Sequence, residues 1–323
     1  MQSKGVYGRK TSYGLSRAML PLLLAVFLFT GCASSSQGGE LPEVQTPANS
    51  QKGSRDNSTT VLVPAAPGIE FYENEVAHID CSNTAEGYIM AWYDGTCQKV
   101  KFQVTGPDGV TYTYNLTSAC EAFPLSGGDG TYNLAIYENI SGNQYSTCLT
   151  TSTVVQITNE FGPTLYPNQY VDFTPDSQVI EKAKELSYSA NSDLDVVRNI
   201  YNYMIQNVTY DFEKADTVQS GYLCNVDTTL QTGTGICLDY AALMTSMLRV
   251  EGIPTRMEVG YAGTAYHAWI STYIKDVGWV NGVIQFDGTS WQLMDPTFGA
   301  STGEEDLKKY IGEGDNYVTK YIY

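Results

Sequence analysis

Histidine is nearly absent from this chain: there are 2 in 323 residues. No C-x-x-C pair and no Cys/His cluster occurs, so no zinc site is expected. No loop has EF-hand spacing, so calcium activation is not expected either, and no cofactor is called for. Bases are scarce, with 18 Lys and Arg against 35 Asp and Glu, for a formal net charge of −17. That balance argues against holding nucleic acid or anionic lipid by charge and leaves a solvated acidic surface. The longest apolar stretch, Ala18 to Thr30, has 13 residues, shorter than a membrane-spanning helix needs.

What is present excludes general disorder: 42% of residues are hydrophobic and 12% aromatic. Tyrosine dominates the aromatics at 25, which suits half-buried strands in an extracellular protein. The apolar stretch follows a basic segment with Lys4, Arg9, Lys10 and Arg17 and ends in "FTGC". This is the layout of an export signal over residues 1–31. It resembles a bacterial lipobox, which implies that Cys32 is the lipidated first residue of the mature chain. Removing residues 1–31 takes away four bases and no acids, leaving a net charge of about −21. Residues 32–60 are rich in Ser, Gly, Gln, Asn and Thr and read as a flexible tether.

From 61 to 160 the text is strand-like: "TTVLVP", "HIDCSN", "GYIMAWYD", "KVKFQVTGP", "VTYTYNL", "GTYNLAIYENI" and "YSTCLTTSTVVQIT", separated by Gly- and Asp-rich turns. About seven short strands in about 100 residues predict an all-β, immunoglobulin-like sandwich, read as a spacer or binding module. Its only histidine, His78, stands alone. Four of the seven cysteines, Cys81, Cys97, Cys120 and Cys148, fall in this block. In an exported protein two disulfides among them are expected, with three pairings open, and Cys224 is left over.

Residues 161–323 change period. "DSQVIEKAKELSYSA" and "SDLDVVRNIYNYMIQNV" predict helices, the second with apolar residues at three- and four-residue steps and Ser192 and Asp195 in a capping relation. A polar connection, 209–235, reads as loop. "CLDYAALMTSMLRVEG" is a third helix, stopped by Gly252 and Pro254, and "TRMEVGYA", "YHAWISTYI", "GWVNGVIQF" and "WQLMDPTF" are strands. Helices followed by an antiparallel sheet define an α+β domain.

Cys237 opens the third helix, where unpaired N–H groups and the helix dipole favour a thiolate and a free N–H can meet an oxyanion. On the helix alone a buried structural thiol is the better reading. The alternatives are a metal ligand or a disulfide with Cys224. His267 follows 30 residues later on a strand and Asp295 another 28 later at a strand end. Alone, one would be a core histidine and the other a turn-forming Asp-Pro. Together they supply nucleophile, base and orienting carboxylate, in that order.

"GTGICLDYAALMTSMLRVEGIPTR", "YHAWI", "WQLMDPT" and "VTYDF" closely resemble the bacterial transglutaminase-like superfamily, over residues 199 to 300. That resemblance implies a papain-like fold and a Cys237–His267–Asp295 triad, with Trp269 as a cleft wall. It places the second oxyanion donor in the loop before the cysteine helix, where Tyr222 and Gln231 are candidates. It departs from many relatives at "TGTGIC", where they carry a lysine before the glycine. The implied activity is thioester-forming acyl transfer on peptide or amide bonds of cell-surface proteins or cell-wall peptides. Water as acceptor gives a peptidase and an amine gives a cross-linker, and the rival is a peptide-binding lipoprotein without turnover.

Overall fold

The computed structural model describes residues 51–275, 277–281, 283–286, 291–294 and 317–323. The chain divides into two units, Met1–Val44 and Gln45–Tyr323, and the first lies outside the described residues. The second holds both the strand-rich block and the mixed region.

The strand-rich block has eight strands: β1 (Phe71–Glu73), β2 (Ala77–Asp80), β3 (Tyr88–Tyr93), β4 (Val100–Thr105), β5 (Thr111–Leu116), β6 (Glu121–Pro124), β7 (Gly130–Ser141) and β8 (Gln144–Val155). They form two antiparallel sheets, ordered β1-β2-β3-β6 and β5-β4-β7-β8. Alternation sets the faces. In "KVKFQV" the residues Val100, Phe102 and Val104 are buried while Lys101 and Gln103 turn outward. The sheets meet face to face, with Phe102 and Tyr114 of one packed 5.0 and 4.6 Å from Phe123 of the other. "TTVLVP" is not a strand, whereas the short β1 and β6 lack an alternating signature and were not expected.

The expected disulfides are not formed. Cys81, Cys97, Cys120 and Cys148 are free, with Cys81 buried and Cys120 exposed. Shared residence in one block sets no Cα separation, and geometry decides whether two thiols meet.

The mixed region begins with α1 (Val179–Ser187) and α2 (Asp193–Asn207). The Ser192 hydroxyl caps α2 by accepting from the Asp195 N–H at 3.2 Å. The Asp195 carboxylate reaches back to the Asn191 N–H rather than to that of Ser192. The polar connection is not plain loop. It holds β9 (Thr209–Tyr210), α3 (Phe212–Thr217), α4 (Val226–Thr232) and β10 (Thr234–Gly235). Asp211 and Asn225 cap the two short helices by accepting from the Lys214 and Thr228 N–H groups at 2.9 and 2.8 Å.

Next comes α5 (Cys237–Val250), buried continuously from Asp239 to Val250. A helix apolar on all sides belongs in a core, and each fully buried Leu or Met contributes about 1.5–3 kcal/mol. It packs on the sheet formed by β11 (Thr255–Ala262), β12 (Ala265–Ile274), β13 (Gly278–Asn281) and, after β14 (Val283–Phe286) and β15 (Trp291–Met294), β16 (Tyr317–Ile322). The order is β13-β12-β11-β16, all antiparallel, so the expected α+β layout holds. The final strand had no clear sequence signal.

The two parts share contacts. Ser126 Oγ donates to the Ile322 carbonyl at 2.7 Å, the Ile322 N–H donates to Tyr112 Oη at 3.2 Å, and Gln169 Nε2 donates to the Asn115 carbonyl at 2.7 Å.

Candidate active site

Two glycines shape the approach to α5. Gly233 closes α4 in the left-handed region at φ 60°, where a side chain is strained. Gly235 allows close approach, since a Cβ there would lie 2.6 Å from Cβ of Asp239. The chain between them pairs with β9, through the Thr209 N–H to Gly233 carbonyl and Asp211 N–H to Gly235 carbonyl bonds at 2.8 and 2.9 Å. Cys237 thereby becomes the first residue of the buried helix, half-buried itself. Its N–H is one of the four that a helix leaves without an internal partner.

Beneath the thiol lies a charged network. The Asp239 carboxylate, fully buried, accepts from the Ile236 N–H at 2.8 Å, Lys214 Nζ at 2.7 Å and Tyr222 Oη at 2.6 Å. Lys214 also donates to Tyr222 Oη at 2.7 Å and sits 4.5 Å from the centre of its ring. Burial alone would lower the lysine, but its bonds to Asp239 and Tyr222 outweigh that and hold it above its ordinary value. Burial and the Asp239 bond push the Tyr222 phenol up to about 12. Cys224 is buried, and burial followed by the Asp239 charge pushes its thiol well above its ordinary value. Both Cys224 and Cys237 are free, so the alternative disulfide between them is absent.

Cys237 and His267 line one cavity of about 480 Å³. His267 sits on β12 opposite Gly260 of β11, where a Cβ would lie 2.0 Å from the Val318 carbonyl oxygen of β16. Trp269 lies two residues along β12, its ring 6.3 Å from the His267 ring and 4.9 Å from that of Tyr317. It is buried behind the histidine and is not among the cavity's lining residues. Tyr222 does line the cavity, but its hydroxyl proton is committed to Asp239. Gln231 is exposed on α4 and does not line it. Gln219 does, a residue that the polar composition of its loop did not single out. Asp295 and Cys32 lie outside the described residues. Among the described residues no group of three His, Cys, Asp or Glu is placed to hold a metal ion.

The strand-rich block backs this cavity. Tyr323, a lining residue, packs 4.2 Å from Tyr170, also lining, and 5.7 and 6.1 Å from Tyr112 and Tyr114 of β5. Gly221, a third lining residue, lies so close to Asn115 that a Cβ would meet its Nδ2 at 2.6 Å. Contacts between residues about two hundred positions apart leave no local signal in the sequence, where that block reads as a module apart.

A cysteine opening a buried helix and a histidine on the adjoining antiparallel sheet thus line one cavity. Residues 180–282 match the model of the transglutaminase-like superfamily, so the chain carries a transglutaminase-like domain there. The superfamily is one of cysteine-based peptidases and acyltransferases. A UPF0252 protein of Methanocaldococcus jannaschii is 27% identical over 143 residues, covering 40% of this chain. The chain spans about two fifths of that relative, 39% of its length. Among solved structures, a candidate cysteine protease from Cytophaga hutchinsonii is 18% identical with a TM-score of 0.33, covering 71% of this chain and 69% of its own. Red sea bream transglutaminase is 15% identical with a TM-score of 0.24, covering 65% and 48%. Likenesses this distant add nothing to the family match.

Proposed function

We propose that the chain is an exported thiol enzyme, anchored by lipid at Cys32 to the outer face of the cell membrane, that performs acyl transfer on peptide or amide bonds. The observation that carries this reading is the shared cavity of Cys237 and His267. His267 takes the thiol proton, and the thiolate adds to the amide carbonyl. The oxyanion is met by N–H groups at the start of α5, including that of Cys237. As the C–N bond breaks, the imidazolium returns the proton to the leaving amine, and a thioester remains on Cys237. Asp295, by its place in the family pattern, orients the imidazole. Water then releases the acyl group, which makes the enzyme a peptidase or amidase. Its substrates are surface proteins or cell-wall peptides. The strand-rich block, with its two face-packed sheets, fits an immunoglobulin-like module within the same reading.

The test is incubation of the full chain, and of Cys237→Ala, with a peptide library and a labelled primary amine. Cleavage that requires Cys237 supports the peptidase. Amine incorporation that requires it transfers the proposal to cross-linking. Neither product above the Cys237→Ala background sinks acyl transfer and leaves a binding protein.

A further inference from the structure

The cavity that holds Cys237 and His267 is rich in aromatic side chains among its described lining residues. None of the described lining residues is Asp, Glu, Lys or Arg, and five are tyrosines. Burial pushes the phenols of Tyr170, Tyr222 and Tyr323 up, Tyr222 to about 12, which keeps these three neutral. Lys214 and Asp239, the nearest charges at the start of α5, pair with each other behind Tyr222.

The aromatic lining continues into exposed rings. Phe212, at the start of α3 and 64% exposed, stands edge-on to lining Tyr210 at 4.9 Å. Tyr266 is 61% exposed, and Tyr261 across the β11–β12 hairpin stands edge-on to it at 5.5 Å. Val218, a lining residue between α3 and α4, is also exposed. Large apolar side chains left in water around a cavity mark a surface that something covers. Rigid aromatic rings bind with little loss of side-chain entropy.

Resting on the acyl-transfer reading above, we infer that the acyl donor is a neutral polypeptide segment carrying an aromatic or bulky apolar side chain beside the attacked carbonyl, gripped by Phe212, Tyr261 and Tyr266. Charge complementarity favours this occupant. An acidic segment would lose its hydration against tyrosines, with no cation among the described lining residues to meet it, on a chain of net charge −17. A basic segment would find no carboxylate among the described lining residues.

The experiment measures alkylation of Cys237 in the full chain, followed by mass mapping of the peptide that contains it. Four probes share one reactive group: iodoacetamide and its N-phenethyl, N-aminoethyl and N-carboxyethyl derivatives. Each forms an S–C bond and expels iodide, so rate differences read recognition. The phenethyl probe is expected to react about tenfold faster than iodoacetamide, with both charged probes slower than phenethyl. Phe212→Ala and Tyr266→Ala, at exposed positions, are each expected to cut that ratio about threefold or more. Equal phenethyl and iodoacetamide rates at a reactive Cys237, a lead for a charged probe, or a ratio that survives both variants overturns the inference and leaves acyl transfer standing. If Cys237 reacts with every probe no faster than a free thiol, the acyl-transfer reading fails and takes this inference with it.

Discussion

The two ends of α5 each bury a charge, and they do so in opposite ways. At the start, the Asp239 carboxylate is met by Lys214 and Tyr222, both side chains from the segment that borders the cavity. At the finish, the Arg249 guanidinium, 1% exposed, donates only to backbone carbonyls: Thr255 at 3.0 and 2.8 Å, Tyr166 at 2.6 Å and Tyr323 at 2.8 Å. Burial works against the arginine's charge, and those four bonds offset it. Backbone carbonyls belong to elements already held in place, so Arg249 ties the β11 start, the connection at Tyr166 and the chain's last residue to one point. Side-chain partners can shift by a rotamer. The end that carries the thiol is thus met by side chains, and the other end by the backbone.

His267→Ala should lower Cys237-dependent turnover by about 10²–10⁴-fold, with a comparable loss of thiol alkylation below pH 8, measured on the folded variant. A variant that keeps its turnover removes the chemistry from this end of the helix. Arg249→Ala should cost about 3–5 kcal/mol in urea denaturation, because it opens a buried cavity and removes the guanidinium donor from three carbonyls, of which Tyr323 keeps the Met257 N–H. Asp239→Ala should cost less, about 2 kcal/mol, because Lys214 can turn to water, yet it should shift the pH profile of Cys237 alkylation. An Asp239 loss exceeding that of Arg249 would reverse the contrast. Tyr222→Phe should cost about 1 kcal/mol and leave the alkylation profile nearly in place.

The last effect is the smallest. Lys214 is held above its ordinary value, so its contribution is complete below its unfolded value, about 10.4, and is lost as pH rises through the higher folded one. Stability should therefore fall more steeply in the wild type than in Lys214→Met above about pH 10. Parallel denaturation midpoints across that range would remove the lysine from the network's energetics.

Several features were legible before any coordinates. The helix from Cys237 and the strands "TRMEVGYA" and "YHAWISTYI" fall where periodicity and the Gly252 and Pro254 stops put them. The connection 209–235 reads as loop because α3 and α4 are short and polar, with caps as their main signal. The disulfide expectation failed because cysteine counting carries no distances. Tyr222 and Gln231 are equal candidates for the oxyanion donor by their place in the loop, and only the structure shows the Tyr222 hydroxyl bonded to Asp239.

Sequence by itself determined what is local: a cysteine one residue inside an apolar helix, glycines where the backbone must turn or close up, and a histidine on the following sheet. Side-chain period, capping and φ preference act within a few residues, so they can be read in order along the chain. Tertiary structure alone decided which distant groups meet. It set Lys214 against Asp239, β16 beside β11, and Tyr323 between the cavity and Tyr114, 209 positions earlier. Such contacts come from the packing of whole elements, and no stretch of sequence contains both partners.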